Sequence, residues 1–246
     1  NALHDPARCA RFTASIVSAV SVNQALQNCD RNTVISGALL GESLNLSPSP
    51  QLGQYYLVPF NNKKKGIQDA QFVLGYKGYV QLALRSGQYK SINVDIVKQG
   101  EYKGRDPMTG DPRFQFIEDD DEWERLPVIG YMASFEYLNG FRKVLYWSKE
   151  KMMNHADRYS AAFSRKAYEN LIAGNIPQGE MWKYSSFWYK DFDSMAKKTM
   201  LRQLISKWGI MSVDMQVAYE SDGRVIDETE SGQLVLQVEE ESSQQL

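Results

Sequence analysis

Phe192-Asp193-Ser194-Met195-Ala196-Lys197-Lys198-Thr199-Met200-Leu201-Arg202-Gln203-Leu204-Ile205-Ser206-Lys207-Trp208 is the most informative stretch of this 246-residue chain. At about 100° per residue, Phe192, Met195, Ala196, Met200, Leu201, Leu204, Ile205 and Trp208 cover most of the circumference, which predicts a largely buried helix. One row breaks that apolar surface: Ser194, Lys198, Arg202 and Ser206, at four-residue steps. Lysine and arginine are almost never buried unpaired, so the row must face acidic partners, solvent or a groove that binds an anion. Asp191 and Asp193 are near enough to neutralise part of it, so a structural ion-pair row and a phosphate-contacting row both stay open. The helix starts at about Phe187 or Asp191, and Gly209 stops it after Trp208.

Just upstream, Trp182-Lys183-Tyr184-Ser185-Ser186-Phe187-Trp188-Tyr189-Lys190 packs five aromatics and two lysines into nine positions. Interleaved rings and cations suit single-stranded nucleic acid, because every base has a face to stack on and every nucleotide a charge to neutralise. The competing reading is that Trp and Tyr are core and rim residues in a chain that is 12% aromatic. From Ser148 to this point the pattern is helical, with a loop near Gly174 to Gly179.

Further upstream the periodicity changes. Lys90 to Lys98 alternates Ile92, Val94 and Ile96, and Val128 to Leu138 and Phe141 to Trp147 read as two more strands joined at Asn139-Gly140, a strong hairpin signal. Gly100 to Pro127 is a long polar connection. Gly75-Tyr76-Lys77-Gly78-Tyr79 opens a helix to about Ser86, with Val80, Ala83 and Leu84 on its apolar side and Lys77, Gln81 and Arg85 as a polar row. Before it, Gly53 to Phe60 and Ala70 to Leu74 form a hairpin whose connection, Asn61 to Gly66, carries Lys63, Lys64 and Lys65. Asp5 to about Asn45 is helical, with Asp30 or Asn32 as a cap. The expectation is an α+β fold: a β-hairpin, a helix, a three-stranded antiparallel sheet and further helices.

Composition narrows the function. Forty-three per cent hydrophobic and 24% charged is ordinary globular composition, which excludes disordered, collagenous and coiled-coil classes. No apolar run approaches the roughly 18 residues of a membrane span, and no basic-then-apolar leader opens the chain. Asn1 is not a natural start, so an N-terminal piece is expected to be missing. Two cysteines and two histidines supply neither a disulfide framework nor a zinc site, and a reducing, cytoplasmic compartment is expected. Residues 1–213 hold 27 of the 28 Lys+Arg and 21 of the 30 Asp+Glu, a net +6, while 214–246 carry −8. Six acids within Glu118 to Glu124 account for much of the body's negative charge. A polyanion-binding domain over 1–213 and an acidic, flexible tail over 214–246 are expected.

The chain has no Gly-Lys dipeptide and hence no P-loop, and it has no G-x-S-x-G elbow or H-E-x-x-H motif, which narrows the enzyme options and makes ATP-driven chemistry unexpected. The expectation, taken with the family resemblance given below, is a binding protein that is not an enzyme and has no resident cofactor. One enzymatic alternative is a Mg²⁺-dependent nuclease, because Asp95 followed by Glu101-Tyr102-Lys103 loosely matches two metal-holding carboxylates and a lysine that aids the attacking water. His155 reads as a helix-surface residue without a catalytic partner.

Several motifs in order then resemble a known family: Leu44-Asn45-Leu46, Tyr56-Leu57-Val58-Pro59-Phe60, Leu74-Gly75-Tyr76-Lys77-Gly78-Tyr79, Leu82-Ala83-Leu84-Arg85-Ser86-Gly87, and Met195-Ala196-Lys197-Lys198-Thr199 with Leu201-Arg202. Together, over roughly residues 30–215, they resemble the phage RecT/Redβ single-strand annealing proteins, RecT branch. The parts around 104–126 and 160–181 are least similar. The resemblance implies a Rad52-like α+β annealing core and an ATP-independent recombinase that coats single-stranded DNA and pairs it with a complementary strand in recombination and repair. It also implies a homo-oligomer, as a ring or helical filament, working in the bacterial host cell beside a phage exonuclease and a host single-strand binding protein. Carried over by position, Lys77, Arg85, Lys197, Lys198 and Arg202 are candidates to line the DNA groove. Lys63, Lys64 and Lys65, with Tyr76, Lys183, Trp188 and Lys190 from the cation–aromatic stretches, complete the candidate set.

Overall fold

The computed structural model describes residues 6–63, 65–228 and 234–236. The chain divides into two compact units, residues 1–82 with 212–246, and residues 83–211.

In the first unit, α1 (Pro6–Val22) and α2 (Arg31–Ser43) precede the hairpin β1 (Tyr55–Asn62) and β2 (Ile67–Leu74). Asp30 begins α2 by accepting the amides of Asn32 at 2.8 Å and Thr33 at 3.3 Å, satisfying donors the first turn cannot. Strand order is β1, β2, β8, β9, where β8 is Arg224–Glu228 and β9 is Leu234–Leu236. Pro59 lies on β1 at the sheet edge, where a missing donor costs no ladder bond, and its partner Ala70 sends its amide to Thr33 Oγ1 at 2.9 Å. Tyr55, Phe72 and Leu74 are fully buried, with the Tyr55 and Phe72 rings 5.0 Å apart.

The glycines of the Gly75–Tyr79 motif set how α3 (Tyr76–Arg85) begins. A Cβ on Gly75 would meet the Gly53 carbonyl at 2.1 Å, and one on Gly78 would meet the Gln54 carbonyl at 2.2 Å. The chain leading into β1 therefore crosses the start of α3 at a distance only glycine allows.

The sequence reading assigns everything past residue 213 to a flexible tail. That boundary is corrected: α9 (Val213–Ser221) buries Met215 and Ala218, and β8 pairs with β2 and buries Val225 and Ile226. Asp222 accepts the Leu74 amide at 3.0 Å and the Tyr79 hydroxyl at 3.3 Å. The few apolar residues in this acidic segment complete a sheet whose other strands lie some 150 positions earlier, a match that local composition does not register. Residues 229–233 and 237–246 lie outside the described residues.

The second unit is built on the antiparallel sheet β3 (Tyr89–Lys98), β6 (Val128–Tyr137) and β7 (Arg142–Ser148), with β6 central. Tyr131, Ala133, Phe135 and Tyr137 alternate along β6 onto one buried face, and Ile96, Val94 and Ile92 stand opposite the first three. The α8 helix (Phe192–Trp208) packs on this face, and α5 (Lys149–Tyr159) adds Met152 and Ala156 to the core. Between β3 and β6 the expected polar connection is replaced by a small hairpin, β4 (Tyr102–Arg105) with β5 (Pro112–Phe114), and a short helix, α4 (Asp120–Arg125). Asp119 caps α4 by accepting the Glu122 amide at 2.8 Å, and three acids occupy its first turn, where the helix dipole favours them. Two more helices, α6 (Arg165–Ile172) and α7 (Phe187–Lys190), with an intervening 3₁₀ turn at Gln178–Tyr184, lead into α8.

Candidate nucleic-acid interface

The α8 helix carries the predicted cation row. Phe192, Ala196, Thr199, Met200, Leu201, Leu204 and Ile205 are buried, whereas Ser194, Lys198 and Arg202 are half-buried and Ser206 is exposed. Asp191 caps the helix by accepting the Ser194 amide at 3.0 Å. Asp193 accepts the Tyr131 hydroxyl at 2.6 Å, so both nearby carboxylates have structural tasks of their own. Thr199, absent from the expected apolar set, is buried because its hydroxyl donates to the Met195 carbonyl at 2.9 Å.

Both ends of α8 are tied to the sheet by tyrosines. At the start, burial and then the Asp193 hydrogen bond push the Tyr131 hydroxyl far above its ordinary pKa. At the end, Tyr137 donates to the Trp208 carbonyl at 2.8 Å and accepts the Ile210 amide at 2.6 Å, while Tyr89 donates to the Ile210 carbonyl at 2.9 Å. The ties match in length: six residues of β6 span roughly 20 Å at about 3.3 Å each, and fifteen residues of α8 roughly 22 Å at 1.5 Å each. The helix therefore runs along β6 in the same direction and presents its row from a fixed support.

Lys197, one residue around, has a different environment. Its Nζ lies 3.1 Å from Asp95 Oδ1, and that carboxylate also accepts the Ile96 amide at 2.8 Å. The Asp95 carboxylate thus covers an outward-facing amide of edge strand β3 and ties α8 to it. Lys197 therefore has a structural partner on the sheet.

The aromatic stretch divides. Trp188 is 7% exposed, 5.2 Å from the Phe192 ring and 5.6 Å from that of Phe163, so the expectation that it faces DNA is corrected: it is a core residue. The aromatic residue that faces solvent is Trp182, 72% exposed, which the candidate set omitted. A clue lay in the spacing, since Trp188 precedes Phe192, Ala196 and Met200 at four-residue steps and so continues the buried stripe. Lys183 is exposed and pairs with Glu180 at 3.1 Å, and Lys190 is exposed.

In the first unit, Tyr76 is half-buried and Lys77 exposed in the opening turn of α3; Arg85, exposed at the same helix's end, belongs to the second unit. Lys63 and Lys65 are exposed at the β1–β2 turn, which closes through the Lys65 amide on Asn62 Oδ1 at 3.1 Å and the Gly66 amide on the Asn62 carbonyl at 2.9 Å. Gly66 takes a φ of 67°, the left-handed value this turn needs. Asn62 also donates to the buried Asp69 at 2.8 Å, so it belongs to the strand rather than to a projecting tip. Lys64 lies outside the described residues.

The nuclease alternative finds no support in this geometry. Glu101 is 1% exposed, with Oε2 accepting the Lys98 amide at 2.7 Å and Oε1 accepting the Trp123 indole N–H at 3.1 Å and the Ile117 amide at 3.5 Å. Lys98 Nζ donates to the Leu126 carbonyl at 2.8 Å and sits 4.6 Å from the centre of the Trp123 ring. Glu101 is therefore an internal anchor for the 104–126 segment, and Asp95 is engaged by Lys197; Lys103 is exposed on β4. Among the described residues no group of three or more His, Cys, Asp and Glu is placed to hold a metal ion. The His155 ring meets Trp147 edge-on at 5.1 Å and Tyr159 at a tilt at 4.7 Å, and burial, with help from Lys151, lowers its pKa. Among the described residues no helix is long and apolar enough to cross a membrane.

Comparison with known proteins agrees with the motifs. The Bacillus subtilis protein YqaK is 40% identical over 224 residues, covering 91% of this chain and 66% of that protein. Protein RecT of Escherichia coli is 40% identical over 79 residues, covering 31% of this chain and 29% of its own length. The chain thus spans just under two thirds of the first relative and less than a third of the second. A model of the RecT family matches residues 10–234, and by that match the chain belongs to the RecT family.

Proposed function

We propose that this protein binds single-stranded DNA by its phosphates and pairs it with a complementary strand, without nucleotide hydrolysis or covalent chemistry. The observation that carries the reading is the Ser194, Lys198, Arg202, Ser206 row, half-buried to exposed on a helix that buries Phe192, Ala196, Met200, Leu201, Leu204 and Ile205 and is fixed at both ends. Membership of the RecT family supports it. Annealing requires neutralising two strands while leaving their Watson–Crick edges open, which backbone contacts achieve. Each correct step then adds stacking of about 1.4 kcal/mol, so several steps hold a true match and reject a false one. A head-to-tail contact between subunits continues the groove as a ring or filament, in the bacterial cytoplasm and beside a phage exonuclease that exposes the strand.

The test mixes two labelled complementary oligonucleotides with the protein in chelator and without nucleotide. Duplex should form faster than without protein. No acceleration would contradict the reading, as would fragmentation of the labelled strands once Mg²⁺ is supplied.

A further inference from the structure

We infer that Trp182 is a stacking platform for an unpaired base, a subsite separate from the α8 cation row. The inference rests on the proposed DNA binding and adds to it the residue that reads the open strand. Trp182 is 72% exposed, next to Met181 at 47%. A tryptophan presented to water leaves a large apolar face without a partner, and such a face gains by contact with another flat ring.

Its support is packed onto the core. The 3₁₀ turn Gln178–Tyr184 that carries it ends in Tyr184, whose ring meets Tyr189 edge-on at 5.1 Å. Tyr189 in turn lies 5.4 Å from Phe163, and its hydroxyl accepts the Ser164 amide at 2.8 Å. Phe163 packs 5.8 Å from Phe192, the first residue of α8. A chain of rings therefore fixes the turn to the core from which α8 starts, and a pre-positioned ring loses little entropy on binding.

The charges around it suit a nucleotide. Lys183 Nζ stands 5.8 Å from the centre of the Trp182 ring and Lys190 is exposed, while Glu180 holds Lys183 at 3.1 Å. Because that carboxylate competes for Lys183, stacking rather than phosphate attraction carries the subsite. Stacking tolerates any base but requires one whose face is open, so Trp182 favours unpaired over paired strand.

The test compares full-length wild type with Trp182→Ala and Trp182→Phe, by anisotropy of labelled oligo-dT and of a blunt duplex of equal length, at several salt concentrations. Trp182→Ala should lose about 5- to 150-fold in single-strand affinity with an unchanged salt slope, and Trp182→Phe should keep most of the affinity. Duplex binding should change little. At 72% exposure, neither change should alter the melting temperature. If wild type binds oligo-dT and Trp182→Ala binds it equally well, the subsite is overturned while the proposed function stands. If wild type does not bind, both fall. If Trp182→Ala shortens the protein's own assemblies in the absence of DNA, the ring serves a subunit contact and the inference is overturned.

Discussion

The α8 helix and the β1–β2 turn carry similar charge on unlike supports. Lys198 and Arg202 stand on a helix tied to β6 through Asp193 at one end and through Trp208 and Ile210 at the other. Lys63 and Lys65 stand on a turn closed by two hydrogen bonds to Asn62. A cation whose position is fixed can select the path of a phosphate chain; a cation on a short turn contributes attraction but little direction. The comparison teaches that the count of lysines is a poorer guide to the binding surface than what holds each one still.

The largest expected effect tests the core beneath the fixed helix. Trp188→Ala should destabilise the second unit by about 3–5 kcal/mol, read from urea unfolding, because it removes a buried ring packed on Phe163 and Phe192. Unchanged stability with lost DNA binding would return Trp188 to the binding surface. Next, Asp193→Ala should cost about 1–3 kcal/mol by leaving the Tyr131 hydroxyl buried without its acceptor, and should weaken single-strand binding by loosening α8. Equal affinity in a variant of lowered stability would show that the tie does not position the row.

The same tie gives an alkaline signature. Burial raises the pKa of Tyr131 and Tyr89 above the ordinary 10.0, so the folded state holds protons that the unfolded chain releases. Their contribution to stability is complete below pH 10 and is lost as pH rises toward the folded values. Urea midpoints measured from pH 8 to 11 should therefore fall above about pH 10, and Tyr131→Phe should flatten that fall; a midpoint constant through pH 11 would contradict the tie. The smallest effect belongs to the turn. Changing Lys63, Lys64 and Lys65 together to Ser should leave folding intact and reduce single-strand affinity or assembly length, less than the loss of Lys198 and Arg202 does. Normal assemblies and unchanged affinity at every salt concentration would reduce the turn to a solvated connection.

How much of this was legible in the sequence depends on where each residue's partner lies. The α8 row, the Asp30 cap and the turn at Asn139-Gly140 are local patterns, and the structure reproduces them, Gly140 with a φ of 86°. Glu101 resembled a metal ligand because its partners, Trp123 and Ile117, lie 22 and 16 positions away, beyond any spacing rule. Trp188 and Trp182 looked alike because Phe163, which buries the first, belongs to a separate segment. Residues 214–228 looked like tail because their acids obscure the few apolar residues that become buried, Met215, Ala218, Val225 and Ile226, and Asp222 acquires its role from Leu74 and Tyr79.

The measurement that bears most directly on the binding surface is the salt dependence of single-strand affinity for Lys198→Ala/Arg202→Ala beside wild type. Two lost phosphate contacts should lower the magnitude of the log–log slope by about 1.4, at roughly 0.7 per contact on single strands, and weaken all sequences alike. An unchanged slope with a lowered melting temperature would contradict the account and make the row a set of structural ion pairs.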